Sequence, residues 1–153
     1  MIKGLYEAHL PVSNINKSIE FYKGLGLKLA IKYDKTAFFW IVENESWIGL
    51  WECEQADIKY HPSIRHIAFR VDLEDLKNAK KWLKERDINM REEFGFKPTE
   101  PIVMPDQAHA MVYFHDSDGN SLEFICKLSS EPEHKPDMYL SEWEKYLENK
   151  DLS

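Results

Sequence analysis

The sequence predicts an α+β fold built from two βαβββ halves, with helices on the outer face and a helical tail behind them. Three observations carry this reading. Hydrophobic periodicity switches repeatedly between the alternation of strands and the spacing of helices. The order of those switches restarts near residue 64, and Gly, Asp and Asn fall at the joints.

From Ile2 to Val12 the pattern is strand-like. Ser13 and Asn14 then supply capping side chains ahead of Ile15, Ile19 and Tyr22, which recur at helical spacing, and Gly24 and Gly26 end that helix. Three short strands are expected next, Leu27 to Tyr33, Ala37 to Val42 and Trp47 to Glu54, separated by the polar turns Asp34-Lys35 and Glu43-Asn44-Glu45-Ser46. After the polar stretch Gln55 to Ser63 the order begins again. Ile64 to Val71 reads as a strand, and Asp72 precedes a helix whose apolar stripe is Leu73, Leu76, Ala79 and Leu83. Asn89 to Phe96 is a weak strand, Ala110 to His115 a better one and Ser121 to Lys127 a good one, with Asp116 to Asn120 as the turn between the last two.

This order predicts one domain over residues 1–127, with module one at 1–54, a linker at 55–63 and module two at 64–127. Residues 128–153 form a tail in which Tyr139, Leu140, Trp143, Tyr146 and Leu147 suit an amphipathic helix, packed on the body or on a second chain. The segment Lys97 to His109, carrying three prolines, is longer than a tight turn needs, and is expected either to cover a pocket mouth or to be a plain surface loop.

With 153 residues, 43% of them hydrophobic, and five Trp, seven Tyr and eight Phe, the chain has ample apolar surface for a core. A formal charge of −7 and scattered Lys and Arg disfavour nucleic acid and anionic lipid as partners. Cys53 and Cys126 are too few for a disulfide framework or thiolate cluster and are expected as buried free thiols. The opening MIKGLYEAHLPV lacks the organisation of a secretory signal, and no apolar run is long enough to span a membrane, so a cytoplasmic protein is expected.

Strand parity selects the candidate site. His66 shares a face with Ala68 and Arg70, opposite Ile67, Phe69 and Val71; Glu123 shares one with Ile125 and Lys127, opposite Leu122, Phe124 and Cys126. A carboxylate between Leu122 and Phe124 in a sheet asks for a compensating partner, and a metal ion is one. His9 occupies the first strand of its half as His66 does, and Glu52 the fourth strand as Glu123 does. If the sheet curves about an axis relating the halves, His9, His66, Glu123 and Glu52 reach one point and suit a divalent ion. Without Glu52 the remaining three form a facial triad with open positions. Each ligand also has an ordinary reading as a hydrogen-bonded or solvated strand residue, and Glu54 shares the face of Glu52. Tyr113 and His115 share a strand face and either line the cup or meet solvent, and Arg70 is a candidate anion contact. His61 and His109 read first as surface residues and secondly as groups that approach a substrate. Trp40, Trp47 and Trp51 read as core or interface aromatics, and secondly as a wall for a hydrophobic ligand.

Three stretches, HLPVSNINKSIEFYKGLGLKL, RHIAFRVDLEDL and VYFHDSDGNSLEFI, resemble the vicinal-oxygen-chelate superfamily, which includes glyoxalase I, fosfomycin-modifying enzymes, extradiol dioxygenases and bleomycin-resistance proteins. The D-x-D-G-x-x-x-E order from Asp116 to Glu123 is the most specific part. The resemblance spans residues 2–127 and implies a cup-shaped, half-open sheet holding one divalent metal per site: nickel, zinc, manganese or iron. It further implies a homodimer with shared sites, His9 and Glu52 from one subunit and His66 and Glu123 from the other, acting on a small molecule. The four-ligand set resembles glyoxalase I, implying isomerisation of a thiol hemithioacetal through Glu52 or Glu123, with a low-molecular-weight thiol as cosubstrate. An iron dioxygenase of the extradiol type is the second enzymatic expectation, and a non-catalytic drug-sequestering protein of the bleomycin-resistance type the third. Fosfomycin-modifying relatives usually carry a hydroxyl residue two positions after the first histidine; this chain has Pro11, which points away from thiol transfer to fosfomycin.

Overall fold

A computed structural model describes residues 1–59 and 61–152; Tyr60, inside the expected linker, and Ser153, at the end of the expected tail, lie outside the described residues. The chain forms two compact units. The first comprises Met1–His66 with the turn Asp116–Ser121, and the second Ile67–His115 with Leu122–Ser153. Among the described residues no helix is long and apolar enough to cross a membrane.

In the first unit the order is β1 (Glu7–Val12), α1 (Ile15–Gly24), β2 (Lys28–Lys32), β3 (Thr36–Val42) and β4 (Ser46–Glu52), and the strands lie as β1-β4-β3-β2. β1 runs parallel to β4, and the other pairs are antiparallel. The parallel pairing needs a crossover, and α1 supplies it. Helix α1 starts where Asn14 Oδ1 accepts from Lys17 N at 2.9 Å, and buries Ile15, Ser18, Ile19 and Tyr22. It stops at Gly26, whose φ of +95° lets the chain reverse as Leu27 N returns to Tyr22 O. Tyr22 packs on Phe39, and Leu10, Val12, Phe39, Ile48 and Leu50 complete this core. Each such large apolar side chain contributes about 2 kcal/mol on burial.

The remaining elements are β5 (His66–Arg70), α2 (Leu73–Lys84), β6 (Ile102–Met104), β7 (His109–His115), β8 (Ser121–Lys127), β9 (Met138–Tyr139) and α3 (Leu140–Asp151), with strand order β5-β8-β7-β6-β9; all but His66 and Ser121 belong to the second unit. Leu76 and Ala79 of α2, Val103, Ala110 and Val112 of the sheet, and Leu140 and Trp143 of α3 form one core. Helix α3 is tied by Glu133, which accepts from Tyr146 Oη at 2.5 Å and Lys150 Nζ at 2.7 Å. The amphipathic helix read from the tail is thus part of this fold.

The second half departs from the expected strands in one place. Asn89 to Phe96 is not a strand: only Arg91 bridges to Tyr113, and Glu93 folds back on Phe96. Phe94 and Gly95 both have positive φ, +50° and +79°, so the chain turns sharply there. The missing strand is β6, inside the segment expected as a loop or pocket cover. Its apolar run Ile102-Val103-Met104 pairs antiparallel with β7, and Ile102 and Val103 are buried. His109 consequently heads β7 rather than sitting in a surface loop, and its Nδ1 is buried.

Candidate functional site

Alternation along β4 sorts its side chains onto two faces. Ile48 and Leu50 are buried in the core with Tyr22 and Phe39, while Trp47, Gly49 and Trp51 face the other way. Gly49 lies between His9 of β1 and Phe38 of β3 in register, so these three form one row across the sheet. A Cβ at position 49 would stand 2.9 Å from His9 Nδ1 and 3.0 Å from Phe38 Cε1. The glycine therefore gives the imidazole room to lie across the strand. Trp51 Nε1 donates to His9 Nδ1, and His9 Nε2 stands 3.0 Å from Glu7 Oε1. An indole nitrogen only donates, so Nδ1 is the acceptor and the ring proton sits on Nε2, facing Glu7.

Glu52 does not share that face. It has the parity of Ile48 and Leu50, and its Oε2 accepts from the backbone N of Ile15 at 2.8 Å. That N–H is one of the open donors at the start of α1, where a carboxylate is also favoured by the helix dipole. Where the sequence expected Glu52 beside His9 as a ligand, its carboxylate here caps a helix on the α1 side of the sheet.

On β5, Phe69 is buried and His66, Ala68 and Arg70 are exposed, so His66 looks away from the core as parity required. Its Nδ1 is 3.1 Å from Ser121 Oγ, a contact that fixes the ring. Arg70 lies exposed two positions along.

In the second unit, Glu123 is 4% exposed, a carboxylate on the face of β8 opposite Leu122, Phe124 and Cys126. Tyr113 donates its hydroxyl to Glu123. Burial, then the Glu123 charge, raise the tyrosine pKa well above its ordinary value. The guanidinium of Arg91 lies 5.2 Å from the Tyr113 ring centre, Arg91 pairs with Glu93, and Phe94 meets Tyr113 edge-on at 5.9 Å. His115, on the same strand face as Tyr113, is exposed at the strand end.

The turn before Glu123 is built for stability. Asp116 Oδ1 accepts from the backbone N of Asp118 and of Asn120, both at 2.9 Å. Asp116 Oδ2 accepts from Tyr22 Oη at 2.8 Å and Asn120 Nδ2 at 2.7 Å. Asn120 Oδ1 accepts from Arg65 Nε at 2.6 Å, and Asp118 Oδ1 from Ser13 N at 3.0 Å. Gly119, at φ +77°, closes the turn. The two aspartates of the motif are thus bound to the first unit.

Among the described residues, no three His, Cys, Asp or Glu side chains gather into a group able to hold a metal. The structure joins His9 to Glu7 and Trp51, His66 to Ser121, and Glu123 to Tyr113. Sequence reasoning missed the roles of Glu7, Gly49, Arg91 and Ser121. Glu7 and Gly49 had a readable signal: a carboxylate two residues before a strand histidine shares its face, and a lone glycine in a strand marks a close approach.

A family model described as the Glyoxalase/Bleomycin resistance protein/Dioxygenase superfamily matches residues 4–124. The metallothiol transferase FosB of Staphylococcus haemolyticus is 33% identical over 149 residues, covering 90% of this chain and 97% of its own. Solved structures share the fold, two of them as follows. A glyoxalase/bleomycin resistance protein/dioxygenase from Nocardioides gives a TM-score of 0.64 at 18% identity, covering 89% of this chain and 91% of that one. The fosfomycin resistance protein FosX from Listeria monocytogenes, complexed with Mn(II) and sulfate, gives 0.61 at 23% identity, covering 84% and 94%.

Proposed function

Because the chain belongs to the Glyoxalase/Bleomycin resistance protein/Dioxygenase superfamily, we propose that it is a metal-dependent enzyme that transfers a low-molecular-weight thiol to a small electrophile with chelating oxygens. The observation that carries the reading is Glu123. A carboxylate 4% exposed, turned away from the apolar core and oriented by a tyrosine hydroxyl, is the anionic donor a divalent cation needs. His9, His66 and Glu123 supply two imidazoles and one carboxylate, a donor set that suits manganese, iron, nickel or zinc. Two copies of the chain complete the site, His9 from one and His66 with Glu123 from the other. When bound, the cation would polarise the substrate oxygen and make its carbon open to a thiolate.

The chain's own groups have separate tasks. Ser121 orients His66, Tyr113 holds Glu123, and the Arg91 cation over the Tyr113 ring keeps that hydroxyl in place. Arg70 and His115, exposed on their strands, are proposed substrate contacts. The isomerase reading drew on Glu52 as a fourth ligand, and the capping role of that carboxylate favours thiol transfer over it.

The test is elemental analysis of the purified chain, followed by thiol consumption with glutathione or cysteine and a panel of epoxides that includes fosfomycin. About one divalent metal per chain, lost in Glu123→Gln and His66→Ala, with metal-dependent loss of free thiol, is expected. Metal-free protein whose melting ignores chelator would overturn the reading.

A further inference from the structure

We propose that the His9 face seats a neutral, flat aromatic or conjugated group of the substrate rather than an anionic one. The inference takes from the proposed function only that His9 belongs to the site; it adds the class of compound. The row His9, Gly49, Phe38 is flanked in register by Trp51 on one side and by Trp47 and Trp40 on the other. Trp51 is 48% exposed, its ring 5.7 Å from His9 and tilted by 35°. Its N–H is spent on His9, so it offers the π face and no free donor. Phe38 meets His9 at 90° and Tyr33 meets Phe38 at 89°, and Tyr33 is itself exposed. Trp40 and Trp47 stack at 4.9 Å.

Charge decides the class. The ionised group beside His9 is Glu7, 3.0 Å from Nε2, and it repels a phosphonate or carboxylate. The basic residue paired on this face is Lys28, opposite Trp40, and its ammonium is held by Glu43 at 2.5 Å. An anion would meet a carboxylate and π faces, whose electrostatics are negative; a flat apolar ring meets four indole and phenyl surfaces of matching character. Pro11, in register with Trp51, adds apolar surface where a hydroxyl would have suited a polar substrate.

The test uses the full chain stripped of metal, titrated calorimetrically with 2-naphthol and, separately, with fosfomycin. Saturable 2-naphthol binding is expected, weakened at least about tenfold in Trp51→Ala, kept within about threefold in Trp51→Phe, and at least about tenfold tighter than fosfomycin. Trp51 is exposed, so both variants should fold, and the Phe variant guards against a collapsed Ala variant. Binding that ignores Trp51→Ala, or fosfomycin binding as tightly as 2-naphthol, overturns the proposal. So does sedimentation showing that a second copy covers Trp51 and that 2-naphthol binds only the monomer. Because the titration needs no metal, a chain that binds 2-naphthol through Trp51 but holds no metal keeps this inference and loses the metal reading.

Discussion

The indole N–H of Trp51 donates to Nδ1 of His9, and this one bond decides which imidazole nitrogen carries the proton. With Nδ1 accepting, Nε2 holds the hydrogen and gives it to Glu7. Ligation through Nε2 needs the opposite arrangement. Trp51→Phe removes the donor and should tighten metal binding by about fivefold, the equivalent of one ordinary hydrogen bond of about 1 kcal/mol. Competition with a chromogenic chelator measures it, and unchanged or weaker affinity would count against a role for Nε2.

Glu52 makes the contrasting case. Glu52→Ala should lower stability by about 1 kcal/mol, as the loss of a helix cap does, and leave metal content untouched. Thermal melts with elemental analysis separate this from a ligand, whose loss would empty the site.

Asp116→Ala should be among the most damaging single changes. It removes four accepted hydrogen bonds and strands the hydroxyl of buried Tyr22, at a cost of about 3–5 kcal/mol. Urea denaturation of the variant against the parent chain checks the figure, and a loss below about 1 kcal/mol would show the turn is not structural.

The two buried tyrosines set the alkaline limit. Burial and the Asp116 charge raise the pKa of Tyr22 well above its usual value, and burial and Glu123 do the same for Tyr113. The folded chain therefore holds these protons more tightly than the unfolded one. Their contribution is fully present below about pH 10, the unfolded value, and is lost as pH rises toward the folded values. Stability measured from pH 8 to 12 should fall steeply above about 10, and Tyr22→Phe should start lower and fall less steeply.

Most of the fold was legible because it rests on periodicity. The strand containing His9, the helix from Ile15, and the strand from Ser121 each announced themselves by apolar spacing and capping residues. The strand at Ile102 was hidden because prolines at 98, 101 and 105 read as a loop, while the polar segment around Arg91 took its place in the count. Facing was harder than position. Glu52 has the chain position that symmetry with Glu123 suggests, but its parity follows Leu50 to the α1 side of the sheet, where its carboxylate meets the backbone N of Ile15. The partnership of Trp51 with His9 has no linear signature at all, since it spans 42 positions and two strands.

The turn at Asp116–Ser121 has a temporal consequence. The hydroxyl of Tyr22 waits on an acceptor 94 positions downstream, and the carbonyl of Pro11 on an amide 109 positions downstream. A ribosome must pass Asp116 before the helix from Ile15 acquires this polar partner, so a nascent chain halted at the linker would leave that helix half-anchored, and maturation should be slow and late, as for other topologies dominated by remote pairings.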